Sequence, residues 1–359
     1  MAESKREVCS EGTEEMVEAL NDLPGTEDLD DLSLPAPPKP FKDFYQGGSV
    51  DIIHPDDIAV NWDDLIGLTN AKLILKEHLM MPLKFPHLFK GCAIKNMLLY
   101  GPPGCGKSML MKALARESRA CLMIVNSYSI MSRMVTDQAQ FMRAVFACAT
   151  ANQPCIVLME DIEVFVEDEY TEARDVLFQL MCTKAIDSIP IIAMTRFPWL
   201  LYKEMRLKRS FPTPVYVPMP DEASRNVLFK MHLNLESSVT EEDFEELVKH
   251  TEGYTVSDML VVVRDALMEP VREIQRATHF RLERHQSVDQ PDEMIDMETA
   301  CSSSAPGAKS KSLADILPND LYVKPMTIDN IHNCLSRCKP CMKSDELEQY
   351  TKFNEESST

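Results

Sequence analysis

An eight-residue, glycine-rich segment has the residue types and spacing best suited to chemistry in this sequence. It fits the pattern G-x-x-x-x-G-K-S and lies between an apolar run at 97–100 and a helix-forming run at 109–115. Its residues are Gly101, Pro102, Pro103, Gly104, Cys105, Gly106, Lys107 and Ser108. Glycines let backbone N–H groups turn toward phosphate oxygens, and the N-terminus of the following helix adds positive potential. Because Lys107 would reach the β- and γ-phosphates and Ser108 would hold Mg²⁺, the segment predicts a nucleoside triphosphate site.

Five short apolar segments predict the buried strands that would position this loop. Helical patterns at 108–117, 138–149 and 171–182 separate most of these segments. Alternation of apolar strands with helices is typical of an α/β fold, in which helices cover a parallel sheet. In such a sheet the ligand binds at the carboxyl ends of the strands, where the glycine-rich loop lies. The predicted strands are 97–100, 122–125, 156–159, 191–194 and 215–217.

The pattern changes after Pro220, where helices replace strands. Asp221, Thr240 and Ser257 each have a residue type that caps a helix N-terminus, and each precedes a helical pattern. A last amphipathic helix ends the chain. The predicted organisation is an acidic, proline-containing disordered segment at 1–50, a nucleotide-binding α/β domain at 51–220, and a helical domain at 221–359 with a loop-rich insertion at 281–324.

Composition excludes several classes of protein. The 359 residues carry a net charge of −20 and a pI of about 4.8, which argues against nucleic-acid binding because phosphate contacts need clustered Lys and Arg. No run of 18 apolar residues is present, and the N-terminus lacks the apolar stretch of a secretory signal. Eleven cysteines scattered through apolar segments are typical of reduced intracellular thiols, so we expect a cytoplasmic protein.

Four further stretches carry a family resemblance. They are 62–68 (WDDLIGL), 82–89 (PLKFPHLF), 251–254 (TEGY) and 261–272 (VVVRDALMEPVR). Together with the glycine-rich loop they resemble the AAA ATPases of the meiotic clade. That clade includes katanin, spastin and the vacuolar-protein-sorting ATPases that take apart ESCRT-III filaments, and this chain is most similar to the last group.

The resemblance implies a fold and an activity. It implies a P-loop NTPase parallel sheet as the AAA large domain, followed by a small helical lid domain, with ATP and Mg²⁺ as cofactors. It also implies a ring of identical or related AAA subunits that pulls a polypeptide, such as an ESCRT-III-like protein, through a central pore. Association with membranes, for example at endosomes, would run through partners. The family's N-terminal substrate-binding bundle is not visible in the first sixty residues.

The resemblance also assigns catalytic roles to residues of this chain, although some of these residues differ in type from those of the family. Relatives have Asp then Glu where this chain has Glu160 then Asp161; the first holds Mg²⁺ together with Ser108, and the second polarises the attacking water. Asp161 is one methylene shorter, about 1.5 Å, and misplacement of about 1 Å can cost on the order of a hundredfold in rate. Relatives place Asn, which orients the water, where this chain has Arg196. Arginine cannot accept a hydrogen bond from water, but it could clamp the phosphate, pair with Glu160 or face solvent.

Two further segments, which in the family contact a neighbouring subunit or the substrate in the pore, also differ from the family pattern. Of the arginine run that completes a neighbour's site, this chain keeps only Arg209. The aromatic pore-loop motif of relatives is replaced by Arg133, Met134 and Val135. The resemblance further assigns Met109 and Gly67 to nucleotide binding.

These observations leave two main hypotheses about function. The first is an ATPase that remodels or disassembles protein complexes in endosomal or vacuolar sorting, with weakened hydrolysis. The second is a hydrolysis-deficient regulatory subunit that joins rings made by an intact AAA relative. Katanin-like microtubule severing is a third hypothesis, and the acidic N-terminal segment argues against it because the tubulin surface is itself acidic.

Overall fold

The computed structural model describes residues 50–89, 96–127, 135–166, 171–181, 188–204, 210–233, 240–286 and 294–357. The chain divides into two compact units. The first runs to Pro218 and also includes Lys343–Thr359, and the second is Met219–Met342. The predicted acidic segment lies outside the described residues, except for its last residue. Within the described ranges, no helix has both the length and the apolar character needed to cross a bilayer.

A six-stranded sheet forms the centre of the first unit. Its strands are β1 (Val50–Ile53), β2 (Met97–Tyr100), β3 (Cys121–Asn126), β4 (Cys155–Glu160), β5 (Ile191–Thr195) and β6 (Thr213–Tyr216). Their order is β1-β3-β4-β5-β2-β6; β1 runs antiparallel to β3, and all other neighbours are parallel. The α/β fold class is confirmed and all five predicted strands are present, although the last one lies at Thr213–Tyr216 rather than at 215–217. Edge strand β1 was not predicted, because it is short and includes the charged, exposed Asp51.

Helices connect these strands. They are α1 (Thr69–Leu75, continuing through a π-helical turn at Lys76–Met80 into Met81–Lys84), α2 (Lys107–Ser118), α3 (Val135–Ala151), α4 (Thr171–Met181) and α5 (Pro198–Glu204), with 3-10 turns at Pro55–Asp57, Pro86–Phe89 and Ile162–Val166. The side chains of β2 and β5 are buried throughout, as four- and five-residue apolar strands between helical layers should be. Each fully buried aliphatic side chain contributes about 1.5–3 kcal/mol, which makes these strands a rigid base for the loops at their ends.

Two of the three predicted capping residues of the second unit are confirmed, one is corrected, and the cap of the fourth helix, Thr327, was not predicted. They are α6 (Glu222–His232), α7 (Glu241–His250), α8 (Val256–Arg276) and α9 (Ile328–Arg337). Asp221 caps α6 through the Ser224 N–H, and Thr240 forms a capping box with Asp243. The cap of α8 is Thr255 rather than Ser257, because Thr255 completes a reciprocal capping box with Asp258.

The stretch predicted as a loop-rich insertion contains a second, four-stranded sheet instead. Its strands are β7 (His279–Gln286), β8 (Met294–Cys301), β9 (Lys309–Ser310) and β10 (Leu321–Tyr322), in the order β10-β8-β7-β9, with 3-10 turns at Leu313–Asp315 and Pro318–Asp320. β7 and β8 pair antiparallel over their full length. Charged residues on both strands obscure the strand pattern in the sequence, and they are accommodated by cross-strand pairs such as Arg284 with Asp296.

The final helix, α10 (Ser344–Ser357), belongs to the first unit, whereas the sequence placed it with the helical domain. Its buried residues Tyr350 and Phe353 explain this position. The ring of Phe353 lies 5.1 Å from that of Tyr100 at the end of β2, and Tyr350 lies 5.2 Å from Trp199 on α5. Aromatic pairs of this kind stabilise by about 0.5–1.5 kcal/mol beyond the area they bury.

Candidate nucleotide-binding site

The glycine-rich loop joins β2 to α2 at the carboxyl edge of the large sheet. Gly101, Gly104 and Gly106 have φ values of +146°, +75° and +92°, which residues with a side chain rarely adopt. A Cβ at Gly101 would lie 2.2 Å from the carbonyl oxygen of Val217, whereas the Cβ position of Gly106 faces open space. The loop therefore packs closely against the sheet at Gly101 and leaves open space at Gly106, beside α2. Such a loop backbone can accommodate a phosphate group in that space.

Substituting Gly101 with Ala is expected to lower the free energy of unfolding by about 2–4 kcal/mol, because it adds both a clash and a strained φ. Chemical denaturation measures this change. Gly307→Ala is the matched control, since Gly307 has φ of +79° but nothing within 4 Å of its Cβ position. Equal losses in the two variants would contradict the clash with Val217.

Lys107 is buried at the start of α2 and is held by the loop itself. Its Nζ donates hydrogen bonds to the carbonyl oxygens of Gly101, at 2.7 Å, and Pro102, at 2.9 Å. Burial lowers the pKa of Lys107 to about 8, with the nearby positive charge of Arg196 contributing in the same direction. A bound phosphate would supply the negative charge that burial removes, so the site suits an anion next to this side chain.

Two side chains with oxygen atoms that can bind a metal ion meet beside Lys107, and they come from different secondary-structure elements. The Ser108 hydroxyl, on α2, donates a 3.1 Å hydrogen bond to Oε1 of Glu160, at the end of β4. The same hydroxyl lies 3.9 Å from the Met194 sulfur. A hydroxyl and a carboxylate are the hard oxygen ligands that Mg²⁺ prefers, and Mg²⁺ usually takes its remaining ligands from water and phosphate. The donor set therefore fits a magnesium ion.

Asp161 and Arg196 form an ion pair across the ends of two neighbouring strands. Nη2 of Arg196 lies 3.1 Å from Oδ1 of Asp161, and the two side chains are 44% and 23% exposed. Asp161 has φ of +52°, an uncommon left-handed conformation that Asp tolerates better than most residues. Of the partners considered from the sequence for Arg196, namely the γ-phosphate, Glu160 and solvent, none is Asp161. The structure therefore pairs two of the positions at which the sequence departs from the pattern of the family that it resembles.

Tyr350 links α10 to this edge of the sheet, a role that sequence reasoning missed. Its hydroxyl donates a 2.6 Å hydrogen bond to the carbonyl oxygen of Arg196. Burial raises the pKa of Tyr350 above its ordinary value, so the hydroxyl keeps its proton and remains a donor even at the alkaline pH at which an exposed tyrosine begins to ionise. A second bond joins Tyr100 to Asn354 at 2.5 Å. The sequence predicts an amphipathic helix in this segment, but no signal within it indicated a hydrogen-bond partner 154 residues away for Tyr350.

Replacing Tyr350 with Phe is expected to lower the free energy of unfolding by about 1–2 kcal/mol, because the Arg196 carbonyl loses its donor in a part-buried place. Urea denaturation of the full chain tests this. Tyr322→Phe, in the second unit, serves as the control and should change stability by less than about 0.5 kcal/mol. If Tyr350→Phe proves as neutral as the control, the hydroxyl does not anchor α10.

The remaining predicted site residues divide into described and undescribed ones. Met109 is an exposed residue of the first turn of α2, and Gly67 begins a left-handed turn, with φ of +66°, that leads into α1. Pro102, Pro103 and Cys105 complete the loop, and Cys105 is buried. Val135 is the first residue of α3. Arg133, Met134 and Arg209 lie outside the described residues.

Glu163 is a further acidic residue near the site. Neither oxygen of its carboxylate is exposed to solvent, and neither has a hydrogen-bond partner among the described residues. Its negative charge favours the protonated form of Lys107. Residue types alone gave no indication of this position, because the burial of both carboxylate oxygens depends on the 3-10 turn at Ile162–Val166.

Comparison with known proteins identifies the family. The family model described as ATPase family associated with various cellular activities (AAA) matches residues 97–219, and the Vps4 C-terminal oligomerisation domain matches residues 298–357. Vacuolar protein sorting-associated protein 4B of Pongo abelii is 34% identical over 324 residues, covering 86% of this chain and 72% of that protein. The 4A protein of Homo sapiens is 33% identical over 312 residues, covering 83% of this chain and 71% of that protein.

Solved structures show the same fold. The FIGL-1 AAA domain in complex with ADP superimposes with a TM-score of 0.66 at 21% identity, covering 88% of this chain and 95% of that one. A katanin structure described as a basis for self-assembly has a TM-score of 0.61 at 20% identity, covering 85% of this chain and 93% of that one. Because these two relatives are 33% and 34% identical over more than four fifths of this chain and about seven tenths of their own length, and because both family models match, the chain belongs to the AAA ATPases, in the family of vacuolar protein sorting-associated protein 4.

Proposed function

We propose that this chain binds MgATP in the glycine-rich loop and hydrolyses it slowly. Binding rests on backbone N–H groups of the loop and on Lys107, whose ammonium would move from the loop carbonyls to the β- and γ-phosphates. These groups are all in place in the chain, so we expect affinity in the micromolar range. When bound, Mg²⁺ would neutralise phosphate charge during transfer, and Ser108 and Glu160 are the residues that would hold it.

The observation that carries slow hydrolysis is the 3.1 Å ion pair between Arg196 and Asp161. A general base needs a free lone pair within hydrogen-bond reach of the attacking water. Here the guanidinium occupies one oxygen of Asp161 and withdraws electron density from the carboxylate. Arg196 also cannot accept a hydrogen bond from the water, so both groups that would orient it are altered. These losses act on the transition state and leave ATP binding largely intact.

Arg196 has a second role in this proposal. ATP brings a γ-phosphate close to the guanidinium, and a charge-assisted bond to phosphate competes with the bond to Asp161. Arg196 would then contribute to ATP binding whenever it contacts the γ-phosphate. The Asp161 carboxylate would be available as a base only during that part of the time. Arg209 is proposed as the single finger toward a neighbouring subunit, and Arg133, Met134 and Val135 as a pore loop without an aromatic contact.

The cellular role is proposed from the relatives. Their names place them in vacuolar protein sorting, and the match to an oligomerisation domain at 298–357 supports an oligomeric AAA assembly. We propose that the chain acts on polypeptides of the ESCRT-III type at endosomes, within a homo- or hetero-oligomeric ring. The test is ATP-dependent disassembly of preformed ESCRT-III filaments, scored by electron microscopy. Filaments that persist with the chain alone and with the chain mixed with an intact relative would contradict this role.

The ion pair also favours a second candidate, a regulatory subunit that turns over little ATP itself. Such a subunit would enter rings of an intact relative and change their activity. Mixing the two proteins with ATP and measuring the mass of the complex by light scattering tests co-assembly. Separate peaks at every mixing ratio, with unchanged ATPase of the relative, would contradict this candidate.

A further inference from the structure

Three side chains with metal-binding atoms meet on the second unit, away from the nucleotide site. Glu246 and His250 lie one turn apart on α7, and His332 projects from α9. Their ligand atoms all lie within 4.8 Å of one another. The two imidazole rings meet edge to face, with centroids 5.8 Å apart. Two helices that are distant in sequence therefore direct two imidazoles and a carboxylate at one point.

The orientation of His250 suits metal binding. Its Nδ1 lies 2.9 Å from the carbonyl oxygen of Glu246, so a proton on Nδ1 is donated to the backbone and Nε2 keeps its lone pair. Metal-binding histidines are commonly held in this way, by a bond from the other ring nitrogen to a carbonyl or carboxylate. The backbone thus fixes the tautomer that exposes a ligand atom.

A second cluster in the same unit provides a contrast. Asp265, Glu269 and Cys334 also lie within 4.8 Å of one another. Their carboxylates, however, are already paired with two arginines, Arg272 and Arg337. Those cations fill the place that a metal ion would take. Among the described residues, the cluster on α7 and α9 has no such cation paired with its carboxylate.

We propose that Glu246, His250 and His332 bind a divalent transition-metal ion, with Zn²⁺ as the best match, and that the ion clamps α7 to α9. Two imidazoles and one carboxylate form a familiar ligand set for zinc, with water in the open position. Zinc bonds of about 2.0–2.1 Å require ligand atoms about 3.3 Å apart, so the ligand atoms must approach one another by at most about 1.5 Å. Glu246 and His250 are exposed and free to make that adjustment.

Titration of the full, reduced chain with Co²⁺ as a spectroscopic substitute for Zn²⁺, together with thermal unfolding in Zn²⁺, tests the site. We expect one bound equivalent with nitrogen and oxygen ligands, and a rise in Tm of about 4 °C or more with saturating Zn²⁺ but not with Mg²⁺. His250→Ala and His332→Ala should lose that equivalent and the Tm shift. His232→Ala, at an exposed histidine on α6, should retain both.

Two outcomes would overturn the site. One is an unchanged equivalent and Tm shift in both histidine variants. The other is a thiolate-to-cobalt charge-transfer band, which would assign binding to the cysteines. Metal-free melting curves and circular dichroism check that each variant folds. If His332→Ala does not fold, Glu246→Gln replaces it and should weaken Co²⁺ binding about tenfold, whereas unaltered affinity would count against the site.

Discussion

Replacing Arg196 with Asn is expected to raise the steady-state rate of ATP hydrolysis about tenfold or more. Asparagine removes the guanidinium from Asp161 and supplies an amide oxygen that can accept a hydrogen bond from water. General bases typically contribute about 10²–10⁴-fold, so recovery of part of that contribution is a large effect. Exchanging the acids as well, Glu160→Asp with Asp161→Glu, should raise the rate further because the base regains a methylene. Phosphate release at saturating MgATP measures both variants.

The control for this prediction is Arg143→Asn, an exposed arginine on α3 that should leave the rate unchanged. A rate in Arg196→Asn no higher than that of the control would show that the ion pair with Asp161 does not limit turnover. An increase only in the triple variant would assign the limit to the exchanged lengths of Glu160 and Asp161 instead.

Lys107→Ala is expected to weaken MgATP binding by at least about 100-fold. Charge-assisted hydrogen bonds contribute about 1.5–3 kcal/mol each, and a lysine that reaches two phosphates loses about two of them, where 1.4 kcal/mol is a factor of ten. Isothermal titration calorimetry of the full chain measures the affinity. Lys112→Ala, on the same helix, is the matched control and should bind MgATP as the wild type does.

A melting curve of Lys107→Ala, measured beside its MgATP affinity, separates the loss of the binding group from a general loss of structure. Alanine relieves the buried ammonium, whose pKa burial lowers to about 8, so the variant should fold at least as well as the wild type. A variant that melts normally and still binds MgATP with near wild-type affinity would place the nucleotide elsewhere.

The central sheet was predictable because its strands are uninterrupted apolar runs. Leu98 and Ile192, for example, are fully buried on neighbouring strands, and burial on both faces removes the need for polar positions. Strand β7 was not predictable on the same basis. Phe280 is buried but Arg281 and Glu283 stand beside it, and these charged residues become acceptable only when the strand pairs with β8 and they pair with each other.

The phosphate loop was predictable because glycine adopts positive φ values without steric cost, so glycines at this spacing indicate a tight loop even without knowledge of the tertiary structure. The partner of Arg196 was not. Its contact with Asp161 depends on the left-handed backbone of that residue and on the packing of β4 against β5. The bond from Tyr350 to the Arg196 carbonyl depends on the return of α10 to the first unit, which residue types within α10 do not specify.

A single-turnover experiment tests the central claim most directly, because it follows the fate of bound ATP without product release. The full chain, in excess over radiolabelled ATP with Mg²⁺, is quenched at intervals and the label is assigned to ATP or phosphate. We expect ATP to bind and to remain unhydrolysed for a minute or longer. Typical enzymes have turnover rates of ~1 s⁻¹ or faster. Conversion at about one per second or faster, lost in Lys107→Ala, would contradict the account.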